Sequence, residues 1–268
     1  MILLLFFVLA SSAPSQTLPD TTLSQIRFDQ KLNTQISSDL IFRDDQNRPI
    51  RLGKYFGRKP LVLVLGYYEC PMLCTLVLNG MIQTASNIPW SIGREFDVIT
   101  VSINPSETPS LAAAKKRTYV RTYGRPGAAN GWHALTGDDT AIRELAEQVG
   151  FRYAYDPASK QFAHPSGLII LTPEGKISHY LFGINFSSQE LSDSLRQASA
   201  NHVGSPIKQL FLLCFHYNPL TGKYSPAILF MLRLLAAATL LALLSLVLKI
   251  ARRQKTPIPQ PTQAPIAM

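Results

Sequence analysis

Cysteine is scarce, three residues in a chain of 268. So few thiols exclude a disulfide-stapled miniature scaffold and leave any cysteine chemistry to one pair and a remainder. Charge is also thin: 16% of residues are charged against 46% hydrophobic. With a slightly positive mean hydropathy, that balance excludes wholesale disorder and leans toward contact with a membrane. A strong basic footprint is missing too. The formal net charge is +9, but five basic residues (Arg233, Lys249, Arg252, Arg253, Lys255) lie beyond Ser225, where there is no acid. What precedes them is only +4, from 21 basic and 17 acidic residues, scattered rather than clustered among aromatics. Nucleic acid is therefore set aside as a partner. The length suits one main folded unit with accessories.

The accessories are the two ends. Met1 to Ala10 is almost wholly apolar and is followed by the small residues Ser11-Ser12-Ala13, so residues 1–13 resemble a secretory signal, although the usual basic start is absent. Residues 14–38 read as a linker or N-terminal extension. Pro226 to Ile250 carries one charge before its exit, Arg233, and is long enough to cross the hydrocarbon core as a transmembrane helix. Arg233 lies near one end of that span, where a long side chain reaches the headgroups. Residues 203–225 then form a juxtamembrane segment and 251–268, with prolines at 257, 259, 261 and 265, a tail. Lys249, Arg252, Arg253 and Lys255 put that tail in the cytoplasm and the folded part on the exterior, periplasmic face of the cell membrane.

Between Asp39 and about His202 the hydrophobic period alternates between strand and helix, which predicts an α/β domain. Leu40–Arg43 and Ile50–Leu52 flank the polar turn Asp44-Asp45-Gln46-Asn47 as an N-terminal β-hairpin extension. Pro60–Gly66 and Phe96–Ile103 are apolar runs expected of strands buried on both faces. Helices are predicted over Thr75–Asn87 and Ser110–Tyr123, the second with the basic patch Lys115-Lys116-Arg117 on a solvated face. Asp138 caps a helix with Ile142, Leu145, Ala146 and Val149 on one face, and Gly150 ends it. Phe151–Tyr155, Gly167–Leu171 and Ile177–Phe182 read as strands, the last two a hairpin about Pro173–Lys176. Ser187 and Glu190 form a capping box for a final helix to about Ala200. This order is that of a thioredoxin-like sheet.

The strongest chemical signal is Cys70-Pro71-Met72-Leu73-Cys74, where the buried strand must turn into the next helix. The exposed N–H groups and dipole of a helix start stabilise a thiolate, making it a better nucleophile and a metal ligand. At i and i+4 the two thiols point the same way, so they can share a metal or close a disulfide. Of five histidines, His164 in Phe162-Ala163-His164-Pro165-Ser166-Gly167 is the best third ligand, because in a thioredoxin-like sheet that loop abuts the active-site helix. His133 and His179 read as strand or strand-edge residues. Thiolates favour Cu(I), and an added imidazole gives a site that also holds Cu(II); zinc fits the same atoms. Cys214-Phe215-His216 is left over as a secondary metal or transfer point, or as an apolar cysteine beside a juxtamembrane histidine.

The segment Leu61–Cys74, with His164 ninety residues after Cys74 and ahead of Gly167–Gly175, resembles the Sco/SenC family. The similarity covers roughly Leu40 to Ala200. It implies a membrane-tethered thioredoxin-like protein that binds copper ion through Cys70, Cys74 and His164. It also implies a metallochaperone role in assembling the copper centre of cytochrome c oxidase, with that oxidase's copper-bearing subunit as partner. Many members have an acidic residue before the histidine and a proline after the second cysteine, where this chain has Ala163 and Thr75. Their tethers are commonly N-terminal, while the anchor here is C-terminal. Because the exterior face oxidises thiols, a thiol reductase is expected as a second partner. The competing expectation is a thiol-disulfide oxidoreductase in which Cys70 attacks, Cys74 resolves and His164 is incidental. A third reading, a peroxidase, is disfavoured because this chain lacks the Pro-x-x-x-Thr-x-x-Cys arrangement that resembles peroxiredoxin sites.

Overall fold

The computed structural model describes residues 26–70, 73–157 and 159–205, together with helical residues at 234–236, 238–241, 243, 245 and 249. The chain divides into two units, Met1–Lys208 and Gln209–Met268. In the first unit a five-stranded sheet runs, edge to edge, through Ile177–Phe182, Gly167–Leu171, Leu61–Gly66, Asp97–Ser102 and Trp132–Leu135. Its strands are β4 (Leu61–Gly66), β5 (Asp97–Ser102), β6 (Trp132–Leu135), β10 (Gly167–Leu171) and β11 (Ile177–Phe182). β4, β5 and β6 run parallel, while β10 is antiparallel to both β4 and β11. This mixed sheet is the thioredoxin-like arrangement that the element order predicts.

The alternation inside β4 explains the layers. Leu61, Leu63 and Leu65 join one apolar cluster and Val62 and Val64 the other, so both faces of the strand are covered. Each such side chain contributes about 1.5–3 kcal/mol when fully removed from water. The first face is covered by Ile36, Phe42, Ile50 and Leu52 and by α4 (Asp139–Gln148) through Ile142, Leu145 and Ala146. The second is covered by α1 (Leu73–Ser86), α2 (Pro109–Tyr123) and α5 (Ser188–Ser199). A four-residue α3 (Ala128–Gly131) leads into β6.

Helix ends follow local chemistry. Asp138 accepts from the Ala141 N–H at 2.8 Å and Ser187 from the Glu190 N–H at 3.4 Å. Thr108 caps α2 by accepting from Leu111, with Pro109 at the first turn where no N–H is needed. Gly150 has φ +62° beyond α4, and a Cβ there would lie 1.8 Å from the Asp29 carbonyl oxygen. The left-handed turn and the close approach both require glycine.

Three features differ from the sequence expectations. The single strand expected over Phe151–Tyr155 is two: β7 (Phe151–Arg152) pairs with β1 (Arg27–Phe28), and β8 (Ala154–Asp156) pairs with β9 (Gln161–Ala163). The chain changes partner at Tyr153, which a run of apolar and aromatic residues does not reveal. Second, residues 26–38 pack onto the unit, with Ile36 fully buried and Asp29 ion-paired to Arg27 and Arg152. The hairpin of β2 (Ile41–Arg43) and β3 (Pro49–Arg51) forms as expected.

The third concerns the transmembrane helix expected over 226–250. Its described residues are helical, but among the described residues no helix is long and apolar enough to cross a membrane. The remainder of that span, the signal segment 1–13, most of 203–225 with Cys214 and His216, and the tail lie outside the described residues.

Candidate metal centre

β4 delivers the chain to Gly66, and Tyr67-Tyr68-Glu69-Cys70 closes as a turn in which the Cys70 N–H donates to the Tyr67 carbonyl at 3.3 Å. β10 is antiparallel to β4, with Leu171 opposite Leu61 and Ile169 opposite Leu63. The start of β10 therefore lies at the end of β4 that carries Cys70, and His164 precedes that start by three residues. Topology alone thus brings residues far apart in sequence to one end of the sheet, beyond the C-terminal ends of the parallel strands.

Cys70 is 7% and His164 4% exposed. Tyr67 joins the two places: its ring meets the His164 imidazole edge-on at 6.0 Å, and it shares an apolar cluster with Cys70. Phe151 stacks on the other side of His164 at 5.8 Å. His164 Nδ1 lies 2.9 Å from the Pro165 carbonyl oxygen. A carbonyl only accepts, so Nδ1 carries the proton and the lone pair belongs to Nε2, the arrangement that makes a neutral imidazole a metal donor.

The turn before Cys70 is held from below by Glu107, which follows β5. The Glu107 carboxylate accepts from the Tyr68 N–H at 2.7 Å, the Glu69 N–H at 2.7 Å and the Ser102 hydroxyl at 2.6 Å. Burial pushes the Glu107 carboxyl above the ordinary carboxylate range, with the three donors pulling part of the way back. The Tyr68 hydroxyl donates to the carbonyls of Thr100 or Leu135, each at 3.0 Å, and burial raises the phenol well above its usual value. Neither Tyr68 nor Glu107 was singled out from sequence. Glu107 is 37 residues beyond Cys70 with no motif around it, and only the parallel pairing of β4 with β5 joins them.

Cys74 is the second residue of α1, and its side chain lies outside the described positions. Among the described residues no three His, Cys, Asp or Glu side chains gather closely enough to hold a metal by themselves. Among the described residues, the other three histidines lie elsewhere in the scaffold. His133 on β6 stacks on Tyr55 at 4.1 Å beside Asp97, and His179 on β11 pairs with the Ser178 hydroxyl at 2.7 Å. The His202 carbonyl accepts from that same hydroxyl.

On the outer side of His164, Phe151, Tyr153, Phe162 and Tyr155 run toward solvent, with Tyr155 51% exposed. They line an open groove of about 1000 Å³.

The family model for SCO1/SenC matches residues 29–200, a span that contains the turn, α1 and His164. The chain belongs to the SCO1/SenC family. Solved structures resemble this SCO1/SenC unit in fold. A protein from Aquifex aeolicus VF5 named for electron transfer is 24% identical, with a TM-score of 0.56, covering 66% of this chain and 98% of that one. A SCO1/SenC family lipoprotein from Bacillus anthracis str. Ames is 14% identical, with a TM-score of 0.51, covering 63% and 98%. ScoI of Arabidopsis thaliana, solved with copper bound, is 18% identical, with a TM-score of 0.49, covering 61% and 97%. No curated protein matches the chain.

Proposed function

We propose that this SCO1/SenC protein is a membrane-anchored copper metallochaperone that works on the exterior face and serves the copper-bearing subunit of cytochrome c oxidase. Its donors are the Cys70 and Cys74 thiolates and the Nε2 lone pair of His164. Copper is cargo here, taken up and passed on, and the chain's part is to hold three donors deprotonated at one end of a rigid sheet. The donor chemistry fits: paired thiolates suit Cu(I), and one imidazole lets the same site hold Cu(II). The observation that carries the reading is the His164 ring, buried against Tyr67 three residues from Cys70, with its Nδ1 proton fixed on the Pro165 carbonyl.

Uptake releases the thiol protons, so affinity rises with pH until both thiols are ionised. A disulfide between Cys70 and Cys74 blocks it, which makes a thiol reductase the second partner. Anchoring is supported by the described part of 226–250, a helix whose Leu234, Leu235, Leu240, Leu241 and Leu243 are all exposed. Such a leucine surface on a helix fits lipid.

The test is metal analysis of the full chain, purified reduced in detergent and reconstituted with copper or zinc in parallel. One copper per chain, lost in Cys70→Ser, is expected. A wild-type chain that takes up neither metal yet exchanges disulfides through Cys70 and Cys74 is instead a thiol-disulfide oxidoreductase, and one that prefers zinc ends the copper assignment.

A further inference from the structure

We infer that Glu107 is the positioning residue of the metal centre: by holding the two middle N–H groups of the Tyr67–Cys70 turn on one carboxylate, it fixes how Cys70 is presented to His164. The inference rests on the metal-centre reading above. The turn has four residues, closed by the Cys70 N–H on the Tyr67 carbonyl. Its two central N–H groups, on Tyr68 and Glu69, both point at Glu107, one to each carboxylate oxygen. Two parallel donors on one two-oxygen acceptor fix an orientation as well as a distance. Glu107 is in turn tied to the sheet: the buried Ser102 hydroxyl, at the last residue of β5, donates to it at 2.6 Å. A chain of hydrogen bonds therefore runs from β5 through Ser102 and Glu107 to the residues next to Cys70.

No neutral side chain replaces it. Glutamine offers one oxygen and one NH2, so it faces one of the two backbone N–H groups with a donor of its own. Glu107 also stands apart from the ligands in sequence, and its influence passes through the backbone of Tyr68 and Glu69. In metal sites, partners of this outer kind change affinity about 10–100-fold when removed.

The experiment compares wild type, Glu107→Gln, Ser102→Ala and Leu195→Ala as full-length reduced protein in detergent. Each is read by Cu(I) competition titration, by hydrogen–deuterium exchange at the Tyr68 and Glu69 amides, and by thermal unfolding. Leu195 is fully buried in the apolar cluster on the opposite face from Cys70 and serves as a control for plain loss of stability. In Glu107→Gln the two amides should exchange at least about tenfold faster and Cu(I) affinity should fall about 10–100-fold. Ser102→Ala should move both readings in the same direction by less, and it carries the test if Glu107→Gln fails to fold. Leu195→Ala should lose thermal stability and keep wild-type affinity. Wild-type affinity in a folded Glu107→Gln, wild-type values throughout in Ser102→Ala if it must stand in, or an equal affinity loss in Leu195→Ala overturns the inference. Failure of the wild-type chain to bind copper would strike the metal-centre reading instead, and the amide exchange would still report whether Glu107 holds the turn.

Discussion

His164 is buried on three sides by its own carbonyl partner, an aromatic edge and an aromatic face. A ring so held loses little freedom on accepting a metal. Under the proposed ligation, removing this donor should cost more than the roughly 10–100-fold typical of outer partners. His164→Ala is expected to lower Cu(I) affinity beyond that range while leaving the rate at which Cys70 and Cys74 form a disulfide near wild type. Competition titration and thiol trapping on the same preparation check the two halves. Equal copper affinity in His164→Ala would leave the imidazole no role in holding the metal.

Asp97 is a single residue that ties stability to pH. Burial alone would raise its carboxyl, but the neighbouring His133 imidazole and the hydrogen-bonded Lys59 ammonium outweigh that and hold it below the ordinary value. A depressed folded pKa means that the contribution is present above the unfolded carboxylate pKa, about 3.9, and is lost as the pH falls through the folded value. Lys59 donates to Asp97 at 2.9 Å. Lys59→Met should therefore raise the Asp97 pKa and shift acid unfolding, followed by circular dichroism, to higher pH. An unmoved acid midpoint would show that the pair contributes nothing.

At the scale of elements, what was legible in the sequence followed from period and caps. The Asp138 and Ser187 helix starts and the β10–β11 hairpin declare themselves locally, because their hydrogen bonds close within a short stretch of chain. β4 and β5 declare themselves by unbroken apolar runs, although their partners lie far away in sequence. Asp138→Ala should cost about 1 kcal/mol of unfolding free energy in a denaturant titration. What was hidden depends on partners far away in the chain. β1 and β7 are two residues each and exist only because they pair with each other, and the strand expected over Phe151–Tyr155 splits because β8 leaves to pair with β9. Glu107 was invisible for the same reason, while Cys70 and His164 were visible because their chemistry is written in residue type. Gly80 belongs with the hidden group. It lies mid-helix in α1, and a Cβ there would sit 1.9 Å from the Ile184 carbonyl oxygen. Gly80→Ala should destabilise by about 1–3 kcal/mol despite its better helix propensity, since backbone must move to admit the methyl. A more stable Gly80→Ala in denaturant unfolding would contradict the close approach of α1 to that loop.

For the molecule as a whole, the proposed topology rests on the membrane span expected over 226–250, and that expectation is directly testable. The full chain should stay with membranes through alkaline carbonate extraction, and a chain ending at Ser225 should be released. Retention of the shortened chain would assign anchoring elsewhere.

The segment ahead of the β2–β3 hairpin has a practical bearing on that work. Phe28 packs against Phe151, Tyr180 and Phe182, and Phe151 is the ring that stacks on His164. The leader strand thus acts as a clasp behind the imidazole. A soluble fragment trimmed to begin at Asp39 would open that clasp, and a weak copper signal from it would indict the cloning boundary before it indicted the ligands.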